Sequence, residues 1–163
     1  MSVDVEGPEI STRPSARNIA LVVCCVAGLG VSIYLTLTHY TKVVSLVCSN
    51  NGAINCEKVT TSPQSMVFGI PVAVLGLVFF VSMFVLVLPR IYERPELIIA
   101  RLRLASSVVG IGFVLYLLYC ELFIIHAICL WCSSVHILTF IIFCLVVSGW
   151  PEVAGNDELG RDE

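Results

Sequence analysis

Along this chain long apolar runs are broken by short polar stretches. Crossing hydrocarbon as a helix takes roughly 20 apolar residues, because every backbone N–H and C=O must be satisfied within the segment. Four runs qualify, at about 19–38, 66–88, 102–125 and 128–147. The pattern predicts an all-α membrane protein: a four-transmembrane-helix bundle with a long extracytoplasmic loop, about 39–65, between its first two spans. Only His126 and Ala127 part the third run from the fourth, which predicts a tight helical hairpin. Small residues four apart, Gly69 with Ala73 and Ser106 with Gly110, would let helix backbones approach closely. Small residues are also common in membrane helices without any such role.

Composition agrees with this solvent. Hydrophobic residues make up 58% of the 163, charged ones 13%, and mean hydropathy is +0.96, whereas soluble domains carry about 25% charge. The net charge of -3 arises largely from acidic ends and gives no basic footprint for nucleic acid. Residues 1–16 and 151–163, polar and acidic, read as disordered cytoplasmic tails around one transmembrane domain, 17–150.

Basic residues set the orientation. With the N-terminus inside, the cytoplasmic segments hold Arg13, Arg17, Arg90, Arg94, Arg101, Arg103 and Arg161, and the outer loop holds Lys42 and Lys58. This positive-inside bias predicts a multi-pass protein of the cell membrane with both termini cytoplasmic. Arg13 and Arg17 before an apolar run could open a secretory signal, but no small-x-small cleavage site follows, so the first span is retained. Leu21-Val22-Val23-Cys24 is a poor lipoprotein site, with a bulky Val23 before the cysteine.

Both interesting cysteine pairs then fall outside, where disulfides persist. Cys48 and Cys56 flank Ser49-Asn50-Asn51-Gly52, whose turn chemistry can fold the segment back and bring the sulfurs within bonding range. A short closed loop gains modest stability from a crosslink, and a reversible and a structural disulfide both fit this spacing. Cys129-Leu130-Trp131-Cys132 opens the fourth span; its cysteines share a helix face, the first near a helix N-terminus where thiolate is favoured. His136 lies on that face about 6 Å deeper. Its imidazole can serve a quinone carbonyl as hydrogen-bond and proton donor, or simply bond a neighbouring helix.

The remaining polar and sulfur groups read more plainly. Cys24, Cys25, Cys120 and Cys144 fall within spans and read as small apolar residues. Glu121 reads as a side chain snorkelling to the interface, with tuning of a thiol as its alternative. Trp131 and Trp150 suit the membrane boundaries as anchors, and Trp131 could also wall a quinone site.

A first helix, an outward loop with cysteines eight apart, two further helices and a Cys-x-x-Cys opening the fourth resemble the vitamin K epoxide reductase family, specifically its bacterial disulfide-forming branch. Ser62, six residues after Cys56, and Phe68-Gly69 at the start of the second span belong to the resemblance. The DsbB-type proteins, also quinone-linked four-helix bundles, place the two cysteine motifs in the reverse order.

The resemblance implies a dithiol:quinone oxidoreductase. Many bacterial members of that family carry a fused thioredoxin-like domain, whereas this sequence ends soon after Trp150, so the resemblance implies a separate thioredoxin-fold (DsbA-like) partner that would reduce Cys48–Cys56; Cys56 would then attack Cys129, and Cys132 would pass electrons to a bound quinone, menaquinone or ubiquinone. Cys132, His136, Ser62, Ser65 and Phe68 are the quinone-contacting candidates it implies. His136 replaces the tyrosine of the vertebrate enzymes, and Ser65 is nearest in register to their quinone-binding asparagine. A respiratory quinone is therefore the expected acceptor, and no metal cofactor is expected. Three rival readings remain: a four-thiolate zinc site, a purely structural bundle, and an exporter of reductant.

Overall fold

The computed structural model describes residues 16–41, 48, 53–88, 91 and 97–159, the last nine as helix backbone alone. The N-terminal tail, Arg13, Lys42, the 49–52 turn, Arg90, Arg94 and Arg161 lie outside the described residues. Among the described residues three helical segments are long and apolar enough to cross a membrane: Ala16–Tyr40, Leu97–Ile125 and Leu130–Trp150. A fourth, Val72–Val87, is shorter and apolar apart from Ser82. In chain order the helices are α1 (Ala16–Tyr40), α2 (Cys56–Thr60), α3 (Val72–Val87), α4 (Leu97–Tyr119) and α5 (Leu130–Leu159). The long ones close a ring, α1 against α3, α3 against α4, α4 against α5 and α5 against α1.

The second apolar run is not helical from its start. Residues 66–71 form a small antiparallel hairpin, Met66 opposite Pro71 and Val67 opposite Ile70, turned by Phe68 (φ 52°) and Gly69 (φ 79°). An uninterrupted apolar run carries no phase of its own to separate strand from helix. Here the left-handed turn and Pro71, fitted just before the first helical residue, set the boundary. At 16 residues α3 is about 24 Å long against a hydrocarbon thickness of about 30 Å. At the other end of the ring, α4 begins early enough that Arg101 and Arg103, expected in the basic connector, lie in its first two turns, Arg103 buried.

Packing centres on Leu21, Cys25, Phe80, Met83, Val87 and Ile142. Gly28 makes it possible: a Cβ there would lie 2.1 Å from the Phe80 ring, so only glycine admits the ring against α1. Gly110 plays the same part for α4, since a Cβ would lie 2.8 Å from Phe79 and 3.2 Å from Thr139. Gly69, by contrast, sits in the hairpin turn with no neighbour within 4 Å, so the Gly69–Ala73 pair is no helix contact. Large apolar side chains such as Val23, Val109 and Phe123 point outward, as lipid contact requires.

Candidate functional site

The site is built where the loop meets the α4–α5 hairpin. Cys48 and Cys56 are joined as a disulfide, with Cα atoms 6.1 Å apart. Cys56 opens α2, and Asn55 caps that helix by accepting the Lys58 N–H at 2.9 Å. Just before the cap the loop pairs with the hairpin: Ile128 N–H donates to the Ala53 carbonyl at 2.9 Å, and Asn55 N–H to the Ile128 carbonyl at 3.1 Å. This parallel bridge brings Cys56 and Cys129 into one buried cluster with Val59, Cys120, Ile125 and Ala127, and Cys48 and Cys132 pack against it.

The hairpin has an unusual entry. α4 passes into a π-helical turn, Cys120–Ile125, which ends at His126 in the left-handed region (φ 53°). Cys129 sits immediately before α5 and caps it twice. Its carbonyl accepts the Ser133 N–H at 2.8 Å, and its Sγ accepts the Cys132 N–H at 3.3 Å. Cys129 and Cys132 are both free thiols. The Cys129 sulfur thus lies where the first unpaired amides of a long helix point.

Beside this cluster opens a cavity of about 340 Å³, within the size range of small-molecule sites. Apolar side chains such as Leu35, Val72, Phe79 and Phe113 make most of its wall, and Cys132, His136, Ser62 and Ser65 border it. His136 is buried, and its Nδ1 has no hydrogen-bond partner. Ser62 and Ser65 donate their hydroxyls to the carbonyls of Val59 and Ser62, both at 2.7 Å, which leaves their oxygens as acceptors. Phe68 is fully exposed at the tip of the 66–71 hairpin and does not line the cavity. Trp131 lies off the cavity as well, its ring 4.7 Å from that of Tyr34, where it ties α5 to α1.

Two residues have larger parts than their sequence suggests. Glu121 does not reach for the interface: it is 3% exposed and borders the cavity together with Cys132 and His136. The available signal was a charge inside an apolar span, which by default marks a function. Cys120, read as structural, lines the same cavity and packs with the redox cysteines. Cys25 does sit in the apolar core, and Cys144 is exposed.

The four motif sulfurs do not form a ligand set, because two are covalently joined. Among the described residues no group of three or more His, Cys, Asp or Glu is arranged to hold a metal ion. An oxidised pair on a loop, tied by backbone to a reduced Cys-x-x-Cys above an apolar cavity, is an arrangement for moving electrons between thiols. Residues 19–147 match the family model of the vitamin K epoxide reductase family, and the chain belongs to that family of membrane thiol oxidoreductases.

Proposed function

We propose that this chain reoxidises a thioredoxin-fold, DsbA-like partner and delivers the electrons to a membrane quinone, so driving disulfide formation in exported proteins. The observation that carries the reading is the Ile54–Ile128 bridge, which gathers the loop and membrane cysteines into one cluster beside the cavity. A four-span topology, with both termini cytoplasmic and the cysteine pairs outside, supplies the setting.

The relay runs by thiol–disulfide exchange. A partner thiolate attacks Cys48, Cys56 leaves as thiolate, and the partner's second thiol releases the partner oxidised. Cys56 then attacks Cys129 of the Cys129–Cys132 disulfide and frees Cys132. Attack of Cys48 on Cys56 restores the loop disulfide and frees Cys129. The end state, loop oxidised and membrane pair reduced, is the state of the cysteines described above.

A quinone supplies a two-electron acceptor. The cavity fits one: its walls are apolar, Cys132 borders it, and the unpartnered His136 Nδ1 offers a place for a polar contact with a ring oxygen. His136 orients the ring and holds a proton at the imidazole, while the apolar wall excludes water. Ser62 and Ser65 have committed their protons to backbone carbonyls, so they shape the pocket and can accept but not donate.

The test combines purified protein in detergent, a reduced thioredoxin-fold protein, and menaquinone or ubiquinone analogues. Quinone reduction should follow addition of the thiol protein and disappear with Cys132→Ser. Undiminished quinone reduction by Cys132→Ser would refute the assignment.

A further inference from the structure

The cavity beside the cysteine cluster meets acid–base groups from two elements. Cys132 and His136 border it from α5, one turn apart, and Cys120 and Glu121 border it from the π-turn that follows α4. Glu121 is held at the hairpin end of the cavity by its own backbone: its carbonyl accepts the N–H of His126 and, at 3.2 Å, that of Ala127. His136, with its Nδ1 lacking a hydrogen-bond partner, stands four residues further into α5 than Cys132, about 6 Å deeper. Glu121 and His136 therefore reach the cavity at different depths, with Cys132 between them.

Oxidation of a dithiol by a quinone moves two protons along with two electrons. Closing Cys129–Cys132 releases both protons, and the quinol takes one on each of two oxygens, which in a para-quinone lie at opposite ends of the ring. One imidazole cannot serve both ends. The serine, threonine and glutamine side chains in the wall do not ionise in water, and His39, which also borders the cavity, is exposed. Cys132 is the electron donor. Among the described residues of the wall this leaves the Glu121 carboxyl, 3% exposed, and the Cys120 thiol beside it. A carboxyl is by far the stronger acid of the two in water, and an ionisable side chain inside a span marks a function.

We propose that Glu121 is the second proton-carrying residue of the quinone site: its carboxyl serves the ring oxygen nearer the hairpin, and His136 serves the deeper one. The proposal rests on the reading that this cavity takes a quinone. Glu121 gives its proton at one oxygen and takes a thiol proton from the Cys129–Cys132 pair in return, so it ends the cycle as it began. His136 does the same at the other oxygen. One S–S bond forms, two electrons pass from sulfur to the ring, and two S–H protons end as two O–H protons, with nothing else consumed.

The experiment uses the full-length chain in detergent with ubiquinone-1 as the probe. Binding is measured by calorimetric titration of the oxidised chain, which cannot react, and reduction by a single turnover of the reduced chain. Glu121→Gln, equal in size but without a transferable proton, should bind the probe within about threefold of the parent and reduce it about 10²-fold more slowly. Glu121→Asp restores the acid and should be at least about tenfold faster than Glu121→Gln. A Gln variant as fast as the parent overturns the proposal. So does an Asp variant as slow as Gln, or a loss of binding that accounts for the loss of rate, since either makes Glu121 a matter of pocket shape. If the parent itself reduces no ubiquinone-1, the quinone reading fails and takes this proposal with it.

A second readout does not depend on a variant that folds. Infrared difference spectra of the parent, probe-bound minus probe-free, should show a change at a carboxyl C=O stretch that shifts in D2O, and Glu121→Gln should lack it. Absence of any carboxyl change in the parent overturns the proposal, and so does the same change persisting in Glu121→Gln.

Discussion

Ile54 and Ile128 pair as an isolated parallel β-bridge, with hydrogen bonds of 2.9 and 3.1 Å on either side. The two residues are far apart in sequence and belong to the two segments that carry the cysteines. Each stands within two positions of a motif cysteine: Cys56 follows Ile54 by two and Cys129 follows Ile128 by one. A backbone contact, indifferent to side-chain identity, thus brings Cys56 and Cys129 into one buried cluster.

Removing the second loop sulfur should trap the first. In Cys56→Ser the Cys48 thiolate can attack the disulfide of an oxidised partner, displacing one partner thiolate, and no Cys56 remains to displace the partner from the mixed disulfide. Non-reducing gels of cells expressing this variant should show a mixed disulfide that Cys48→Ser/Cys56→Ser lacks. Absence of the adduct when the partner is abundant and oxidised would place the attack elsewhere.

His136 should matter to the last step alone. His136→Ala is expected to lower quinone reduction by about 10²-fold, the lower end for loss of a positioned acid–base group. Reduction of Cys48–Cys56 by the thiol partner should keep its rate, because His136 borders the cavity and is absent from the loop cluster. Stopped-flow measurement of the two half-reactions separates these effects, and an equal loss in both would point to a general collapse of the bundle.

Gly28 should be intolerant of even one methyl group. Gly28→Ala forces the Phe80 ring away from α1 and should cost about 1–3 kcal/mol of stability, the usual range for overpacking. Gly112, with no neighbour within 4 Å of its built Cβ, is the control, and Gly112→Ala should be neutral or stabilising by up to about 1 kcal/mol. Thermal melting in one detergent compares the two.

Much of this was legible in the sequence because it depends on local pattern. Apolar run length gave the long helices, the 48–56 spacing gave a closable loop, and 129–132 gave a pair at the mouth of a helix. What stayed hidden depends on long-range contacts. Nothing in Ala53-Ile54-Asn55 announces that it will pair with Ile128, and nothing around Glu121 reveals that its side chain will be buried at the cavity wall. Phe68 was misplaced for a related reason. Its apolar neighbours continue into α3, whereas the reversal at Phe68-Gly69 carries its ring out to full exposure. Gly28 could have been noticed as a small residue among large ones, but its partner Phe80 lies on another helix.

The exchange between Cys56 and Cys129 is the step on which the account stands, and a Cys132→Ser chain isolates it. There the Cys129 thiolate can attack Cys56 of the loop disulfide and release Cys48, no Cys132 thiol remains to take Cys129 from the product, and an alkylating agent present throughout blocks the return attack by the freed Cys48. Mass mapping of alkylated, unreduced peptides should find Cys56 linked to Cys129 and Cys48 alkylated. An intact Cys48–Cys56 disulfide with Cys129 fully alkylated, after long incubation at pH 8, would contradict it.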